Sequence, residues 1–193
     1  MTQPHLDFTL PAAGGGEVSF REISAGKPAT VVVFTCNHCP YARAWHDRLQ
    51  DVARDYADRV GFVQINSNDA TRYPKDSFEM MEARVAAGEF ATPYLWDESQ
   101  EVARAWVPKA TPHVFVVDAN GDIVYEGAPD GYHGAPELRQ WRGEPGQWLR
   151  EALDDVLDGR EVARPRTEPI GCSIRWNAAN AELDQGPSPA ELW

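Results

Sequence analysis

Apolar residues along the chain fall into two kinds of pattern, short uninterrupted runs and helical repeats. Residues 30–34 form a β-branched apolar run, typical of a strand buried on both faces, and residues 61–65 form a second one. Between the runs, apolar residues recur every three or four positions, which predicts a helix with one buried face; they are Tyr41, Trp45, Leu49, Val52 and Tyr56. The first half of the chain is therefore predicted to fold as a strand, a helix and a parallel strand.

The second half continues this alternation and adds a hairpin. The pattern predicts a helix over about 75–87, a short strand over 94–96 and a helix that runs to 106. Two paired strands, over 113–117 and 122–125, and a last helix over about 146–157 follow. Gly88 is a good helix stop, and Asp97 with Gln100 can form a capping box for the second of these helices. The Ala-Asn-Gly sequence at 119–121 is a strong turn signal between the paired strands.

Alternating strands and helices predict an α/β fold, in which a central mixed β-sheet is flanked by helices. Residues 7–20 precede this pattern and predict an N-terminal β extension, with three glycines as its turn and residues 18–20 as a short strand. From residue 160 the periodicity is weak and prolines recur, at positions 165, 169, 187 and 189. We therefore predict one domain over 1–159, which includes the N-terminal β extension, and an extended C-terminal tail over 160–193.

Composition and charge narrow the classes of function. The 193 residues are 42% hydrophobic, which is enough to bury a core, and no stretch is apolar for long enough to span a bilayer. The formal net charge of −12 argues against nucleic-acid binding and against attraction to anionic membranes, since both need a cationic face. Residues 1–5 lack the basic and apolar segments of an export signal, so we expect a cytoplasmic protein.

Two of the three cysteines, Cys36 and Cys39, are spaced C-x-x-C between the first apolar run and the helix that follows it. Such a pair in a reducing compartment indicates redox chemistry or a metal site. Because a helix N-terminus carries partial positive charge, we expect the pKa of Cys36 to be lowered and its thiolate to be the nucleophile. Cys39 lies one turn further on, where it can attack a mixed disulfide formed at Cys36.

His38 lies between the two cysteines. It either adds positive charge or a hydrogen bond beside the Cys36 thiolate, which would make the pair more oxidising, or is an exposed loop residue. A zinc site would need a second pair of ligands, which Cys172 and scattered histidines do not supply, so no metal is expected. Cys172 is either a third redox thiol folded back towards Cys36 or a small buried residue that anchors the tail.

A proline far along the chain completes a recognisable pattern. Pro112 follows Thr111 and stands directly before a predicted strand of the hairpin. Together with the C-x-x-C pair, it makes the sequence resemble the thioredoxin-like superfamily over about residues 7–157. The closest resemblance is to bacterial redoxin-type, peroxiredoxin-like proteins, and it rests on residues 33–41 around the cysteine pair and 168–176 in the tail.

The resemblance implies a cis bond before Pro112. In that superfamily the cis-proline packs against the cysteine loop and exposes the backbone of the preceding residue, here Thr111, so that a substrate peptide can pair with it. Pro93, which follows Thr92, is a rival candidate, but it precedes a short strand and a helix instead of a hairpin.

The resemblance also implies a thiol–disulfide oxidoreductase with Cys36 and Cys39 as its centre, no cofactor, and protein or small-molecule disulfides and dithiols as partners. Two alternatives stay open: a peroxiredoxin-like thiol peroxidase, and a non-catalytic module that captures an extended partner near Pro112 and senses redox state. The peroxidase pattern has Thr or Ser three residues before the reactive cysteine and Pro seven before it. This chain has Val33 and Ala29 at those positions, which disfavours peroxidase action.

Thioredoxins also carry a buried carboxylate in the strand before the cysteines, as a proton acceptor for the second cysteine. Residues 30–34 contain no carboxylate. Proton transfer from Cys39 is therefore expected to use water, His38 or another group.

Overall fold

The structure is a computed structural model that describes residues 6–131 and 146–186. Within those residues the strands and α-helices are, in chain order, β1 (Thr9–Pro11), β2 (Glu17–Ser19), α1 (Phe20–Ser24), β3 (Ala29–Thr35), α2 (Pro40–Asp55), β4 (Val60–Asn66), α3 (Phe78–Ala86), β5 (Tyr94–Trp96), α4 (Glu101–Trp106), β6 (His113–Asp118), β7 (Ile123–Gly127) and α5 (Trp148–Leu157). Two 3-10 helices, Pro74–Asp76 and Ala178–Leu183, are added to these. From β3 to α5 the order is the one that the apolar pattern predicts.

β3 is the middle strand of a five-stranded sheet with the order β5-β4-β3-β6-β7. It runs parallel to β4 and antiparallel to β6, so the sheet is mixed. All residues of β3 and β4 are buried, which explains why both strands form apolar runs in the sequence instead of alternating patterns. The predicted α/β fold, with a central mixed sheet flanked by helices, is confirmed.

Apolar side chains pack on both faces of this sheet. Side chains of α2 and α5 cover one face, among them Trp45, Leu49, Leu149 and Leu153. Side chains of α4, the N-terminal extension and the tail cover the other face, among them Phe8, Trp106, Ile174 and Trp176. The tail therefore contributes to the hydrophobic core.

The N-terminal extension forms its own two-stranded sheet, in which β1 pairs antiparallel with β2. The strand predicted at 18–20 ends at Ser19, because this residue is the N-cap of α1. The Ser19 hydroxyl accepts a hydrogen bond from the N–H of Glu22 (3.2 Å), and the Glu22 carboxylate accepts one from the N–H of Ser19 (2.8 Å). This capping box starts α1 at Phe20.

The helix predicted over 75–87 is broken in two. The residues Pro74–Asp76 form a 3-10 turn, and α3 begins after Ser77, whose hydroxyl accepts a hydrogen bond from the N–H of Met80 (3.3 Å). The break leaves the side chain of Asp76 fully buried and directed at the loop that carries the cysteines.

The capping box predicted for α4 is wrong in its geometry. Gln100 is the N-cap residue, but its side chain makes no capping hydrogen bond. The buried Asp97 carboxylate accepts hydrogen bonds from the N–H groups of Val102 (3.3 Å) and Ala103 (2.9 Å) instead. Asp97 therefore satisfies the free N–H groups of α4 from outside its first turn.

The described part of the predicted tail, residues 160–186, crosses the sheet edge and then the cysteine loop. Arg166 forms a parallel bridge with Glu126 of β7, and Cys172 forms an antiparallel bridge with Thr111. The division of the chain at residues 159 and 160 stays a prediction.

No helix among the described residues is long and apolar enough to cross a membrane. Residues 1–5, in which no export signal was recognised, and the tail prolines at 187 and 189 lie outside the described residues.

Ile174 tests whether the tail belongs to the cooperative core. Its side chain is 3% exposed and packs on the sheet face that α4, the N-terminal extension and the tail cover. We expect Ile174→Ala to lower the free energy of unfolding by about 2–5 kcal/mol, since a cavity replaces buried methyl groups. Met80→Ala is the control, because Met80 is 44% exposed, and it should change stability by no more than about 0.5 kcal/mol. Urea unfolding measures both, and equal stability of the two variants would contradict the prediction.

Candidate active site

Cys36 and Cys39 lie where β3 ends and the chain turns into α2. Helix α2 begins at Pro40, and Cys39 is its N-cap residue. Proline suits the first helical position because that position needs no N–H donor. Both cysteines are buried, with 2% and 0% of their surface exposed, and they are free thiols. The junction predicted from the apolar pattern is therefore correct, but the helix starts after the second cysteine.

Thr111 contacts both sulfur atoms. Its hydroxyl oxygen lies 3.5 Å from the Cys36 Sγ, and its carbonyl oxygen lies 3.2 Å from the Cys39 Sγ. The bond between Thr111 and Pro112 is cis, as predicted, and the rival bond before Pro93 is not among the cis bonds of the described chain. The fold thus brings Thr111 against two cysteines that lie 75 and 72 residues before it in the sequence.

The expectation that the Thr111 backbone is free for a substrate peptide is wrong. Thr111 is fully buried, and its N–H donates a hydrogen bond to the Cys172 carbonyl at 2.8 Å. The N–H of Cys172 in turn lies 3.4 Å from the Cys39 Sγ. The tail occupies the place where we expected a substrate strand. It also fills the groove near Pro112 on which the non-catalytic binding module depended.

A buried carboxylate that the sequence analysis did not identify lies under the cysteine loop. The Asp76 Oδ1 accepts hydrogen bonds from the N–H groups of Asn37 (2.7 Å) and His38 (3.2 Å). Its Oδ2 accepts one from the Asn68 Nδ2 at 2.9 Å and contacts the His38 Nδ1. The only sequence signal for this residue is Pro74, which begins the turn that interrupts the helical pattern. A buried carboxylate therefore is present, but it comes from the turn before α3 and not from β3.

His38 is held between Asp76 and the ring of Tyr73, with the two rings stacked at a centroid distance of 5.1 Å. A ring nitrogen of His38, the Cys36 Sγ and a carboxylate oxygen of Asp76 all lie within 4.8 Å of one another. His38 is therefore part of the site and not merely an exposed loop residue. The arrangement is an imidazole, oriented by a buried carboxylate, next to a thiol.

Asn37, the other residue between the cysteines, fixes the loop from its opposite side. Its side-chain oxygen accepts hydrogen bonds from the Arg84 Nη1 (2.9 Å) and the Tyr94 hydroxyl (3.0 Å). Its side-chain nitrogen donates to the carbonyl of Lys75 at 2.9 Å. The loop is thereby fastened to both α3 and β5.

Comparisons with known proteins agree with this geometry. The model of the AhpC/TSA family matches residues 1–126. The chain belongs to the AhpC/TSA family. An uncharacterized conserved protein from Geobacillus kaustophilus is 36% identical over 92% of each chain, with a TM-score of 0.83. A hypothetical protein from Sinorhizobium meliloti 1021 is also 36% identical, over 92% of this chain and 96% of that one, with a TM-score of 0.81.

The fold is shared more widely than the sequence. A thioredoxin-like protein solved in its oxidized form is 19% identical over 82% of this chain and 96% of that one, with a TM-score of 0.60. No curated protein matches the sequence. The resemblance to thioredoxin-like, redoxin-type proteins is thereby confirmed for family and fold.

The pKa values of the two central cysteines of this AhpC/TSA-family protein are shifted in opposite directions. Burial raises the pKa of Cys36 well above that of a free thiol, and the neighbouring Cys39 and Asp76 raise it further. Burial also acts to raise the pKa of Cys39, but hydrogen bonds from the thiols of Cys172 and Cys36 and from the N–H groups of Ala42 and Cys172 outweigh it and lower this pKa. Two neighbouring thiols and two N–H groups, one of them in α2, therefore favour charge on Cys39.

The expectation that the pKa of Cys36 is lowered is wrong, because burial raises it first and the neighbouring Cys39 and Asp76 raise it further. A helix stabilises an anion through the free N–H groups of its first turn, and this effect falls off within one turn. Because α2 starts at Pro40, one of those groups, the N–H of Ala42, lowers the pKa of Cys39. Cys36 lies close to the Asp76 carboxylate, which raises the pKa of Cys36.

Cys36, His38 and Asp76 are also the set of metal-ligating side chains that the described residues bring together. However, both carboxylate oxygens of Asp76 already accept hydrogen bonds from the cysteine loop or from Asn68. A metal ion bound there would have to replace the contact between Asp76 and His38. The cluster fits a hydrogen-bonded proton acceptor better than a metal site.

The location of the thiolate can be measured directly. We expect the reduced protein at neutral pH to show the ultraviolet absorbance of one thiolate. Cys39→Ser should abolish this absorbance, because the hydrogen bonds that lower the pKa converge on the Cys39 sulfur. Cys36→Ser is the matched control and should retain the absorbance. Loss of the absorbance in Cys36→Ser and its retention in Cys39→Ser would contradict the assignment.

Proposed function

We propose that this protein is a thiol–disulfide oxidoreductase with Cys36 and Cys39 as its reactive centre. The observation that carries the proposal is the contact of both sulfurs with one residue, Thr111, at 3.5 Å and 3.2 Å. The side chains of Cys36 and Cys39 also hydrogen-bond to each other, so the two sulfurs are near enough to form a disulfide. Membership of the AhpC/TSA family and the thioredoxin-like fold support a redox role.

In the first step Cys36 attacks a substrate disulfide. Cys36 is the better placed of the two to meet a substrate, because Cys39 is enclosed by Thr111 and Cys172 and is fully buried. The Cys36 thiol transfers its proton to His38 as its sulfur bonds to one substrate sulfur. The substrate disulfide breaks, and the second substrate sulfur leaves as a thiolate.

Asp76 orients His38 for this proton transfer. Its contact with Nδ1 holds the ring and leaves the other ring nitrogen to accept the proton. Because Cys36 has a raised pKa, it needs a base at the moment of attack. This pair of residues serves the first cysteine, whereas the carboxylate of thioredoxins serves the second.

In the second step Cys39 resolves the mixed disulfide. Its thiolate attacks the Cys36 sulfur, a bond forms between the two protein sulfurs, and the substrate sulfur leaves as a thiolate. The substrate disulfide has gained two electrons, and the protein now holds one disulfide. The reverse sequence transfers that disulfide to a substrate dithiol. Protein or small-molecule disulfides and dithiols are the substrates that this chemistry accepts.

Peroxide reduction is the less favoured activity on structural grounds. Val33, three residues before Cys36, is fully buried in β3 and has no hydroxyl group with which to orient a peroxide. Reduction of hydrogen peroxide that is faster than reduction of a disulfide substrate would reverse this order.

A trapping experiment tests the roles of the two cysteines. We expect Cys39→Ser to stall as a mixed disulfide between Cys36 and glutathione when it is treated with oxidised glutathione, because the resolving thiolate is missing. Mass mapping of the modified peptide identifies the site. Cys36→Ser is the control and should react with oxidised glutathione much more slowly than Cys39→Ser does. An equal or faster reaction of Cys36→Ser would contradict the assignment of the nucleophile.

Asp76→Asn separates the two effects that Asp76 exerts on Cys36. Its negative charge raises the pKa of Cys36, so removing the charge alone would increase the thiolate fraction and speed the reaction. If Asp76 orients the base, the amide instead misdirects His38. The rate at neutral pH should then fall by about a hundredfold and rise steeply with pH as hydroxide replaces the base. The pH profile of the reaction of Cys36 with oxidised glutathione decides between them.

Asp97→Asn is the control for this variant. Asp97 is also fully buried and also accepts backbone hydrogen bonds, but it caps α4 and does not contact the cysteine loop. It should lower stability and leave the pH profile unchanged. A faster reaction in Asp76→Asn would remove the positioning role of Asp76.

A further inference from the structure

We propose that Cys172 is the third thiol of a disulfide relay, and that the tail segment around it is an internal substrate of the site. The disulfide formed between Cys36 and Cys39 then passes to Cys39 and Cys172, which returns Cys36 to its free thiol form. This proposal rests on the oxidoreductase function proposed above and extends it by one intramolecular step.

The tail is paired with the site in the manner of a bound strand. Cys172 forms an antiparallel bridge with Thr111, and its carbonyl accepts hydrogen bonds from the Thr111 N–H (2.8 Å) and hydroxyl (3.2 Å). This is the backbone position that we expected a substrate peptide to use. The protein therefore presents one of its own cysteines where a substrate cysteine would lie.

Gly171 allows the tail to approach this closely. A β-carbon at position 171 would lie 1.9 Å from the carbonyl oxygen of Thr111, far inside any allowed contact. The hydrogen of glycine fits in the same space. A residue with a side chain would push the segment away from Thr111, and with it Cys172.

The three sulfurs share one buried cluster, in which Cys39 lies between the other two. The Cys172 N–H is 3.4 Å from the Cys39 Sγ, and the side chains of Cys172 and Cys36 both hydrogen-bond to the same sulfur. The sulfur in position to exchange with Cys172 is therefore that of Cys39. Cys172, at 7%, is the most exposed of the three and the one that an external thiol reaches first.

The tail is held on both sides of Cys172. Before it, the N–H of Glu126 donates a hydrogen bond to the Pro165 carbonyl at 3.0 Å. After it, the N–H of Arg175 donates to the Asn68 side chain at 2.9 Å, and Ile174 is buried in the core. Because the segment is anchored at both ends, Cys172 reacts at a high effective concentration.

The exchange is balanced without any further reactant. The Cys172 sulfur attacks the Cys39 sulfur of the Cys36–Cys39 disulfide, a Cys39–Cys172 bond forms, and Cys36 leaves as a thiolate that takes up the proton released by Cys172. The number of disulfides and of electrons is unchanged. Reduction of the new disulfide by an external thiol at Cys172 then resets the site.

The test uses proteins that each lack one cysteine, treated in reduced form with oxidised glutathione, quenched with acid and mapped by mass spectrometry. Cys36→Ser should form a Cys39–Cys172 disulfide and retain no glutathione. Retention of glutathione on Cys39 with Cys172 still free would overturn the proposal. Cys39→Ser is the matched control and should form no disulfide between Cys36 and Cys172; such a bond would overturn the central position of Cys39.

Gly171→Ala, added to Cys36→Ser, tests the docking of the tail. All the sulfurs of Cys36→Ser remain, but the segment no longer fits against Thr111. The Cys39–Cys172 disulfide should therefore form at least about tenfold more slowly than in Cys36→Ser alone. An unchanged rate would show that docking is not needed and would overturn the internal-substrate role. Failure of the oxidoreductase function is recognised separately, since it appears as absence of the glutathione adduct on Cys36 in Cys39→Ser.

Discussion

The backbone pairing of Thr111 with Cys172 is the interaction on which the site depends. It joins two segments that are 61 residues apart in sequence and buries Thr111 completely. Once it forms, the Thr111 carbonyl and hydroxyl are directed at the two sulfurs, and the Cys172 N–H is directed at one of them. A buried backbone N–H without a partner is costly, so the bridge also satisfies a donor that would otherwise need a bound strand.

The second constraint is electrostatic. Asp76 is a fully buried carboxylate that accepts backbone hydrogen bonds from the cysteine loop, so it both shapes the loop and places negative charge near Cys36. A further negative charge on Cys36 is disfavoured next to it, whereas Cys39 is surrounded by donors. The pKa of Cys39 is therefore lowered and that of Cys36 is raised, so a reaction at Cys36 needs a base.

Several parts of this arrangement were accessible from the sequence. The apolar runs and the three-to-four-residue repeat place the strands and the main helix, because burial on two faces or on one face imposes a period that can be counted. The C-x-x-C spacing and Pro112 indicate the proposed reactive centre and the cis bond before the hairpin. Asp76 could not be found in this way, because a buried polar residue in a turn leaves no period and its neighbours in space come from other elements.

Local patterning thus determined the mixed sheet, the order of strands and helices along the chain, and the position of Cys36 and Cys39 between β3 and α2. The tertiary structure alone decided which of the two cysteines has its pKa lowered, since the groups that lower the pKa of Cys39 include the thiol and the N–H of Cys172, which lies far along the chain. It also decided where the tail lies. The weak periodicity of residues 160–186 does not indicate where this segment packs. The docking of Cys172 on Thr111 depends on a close approach at position 171 that only a glycine allows.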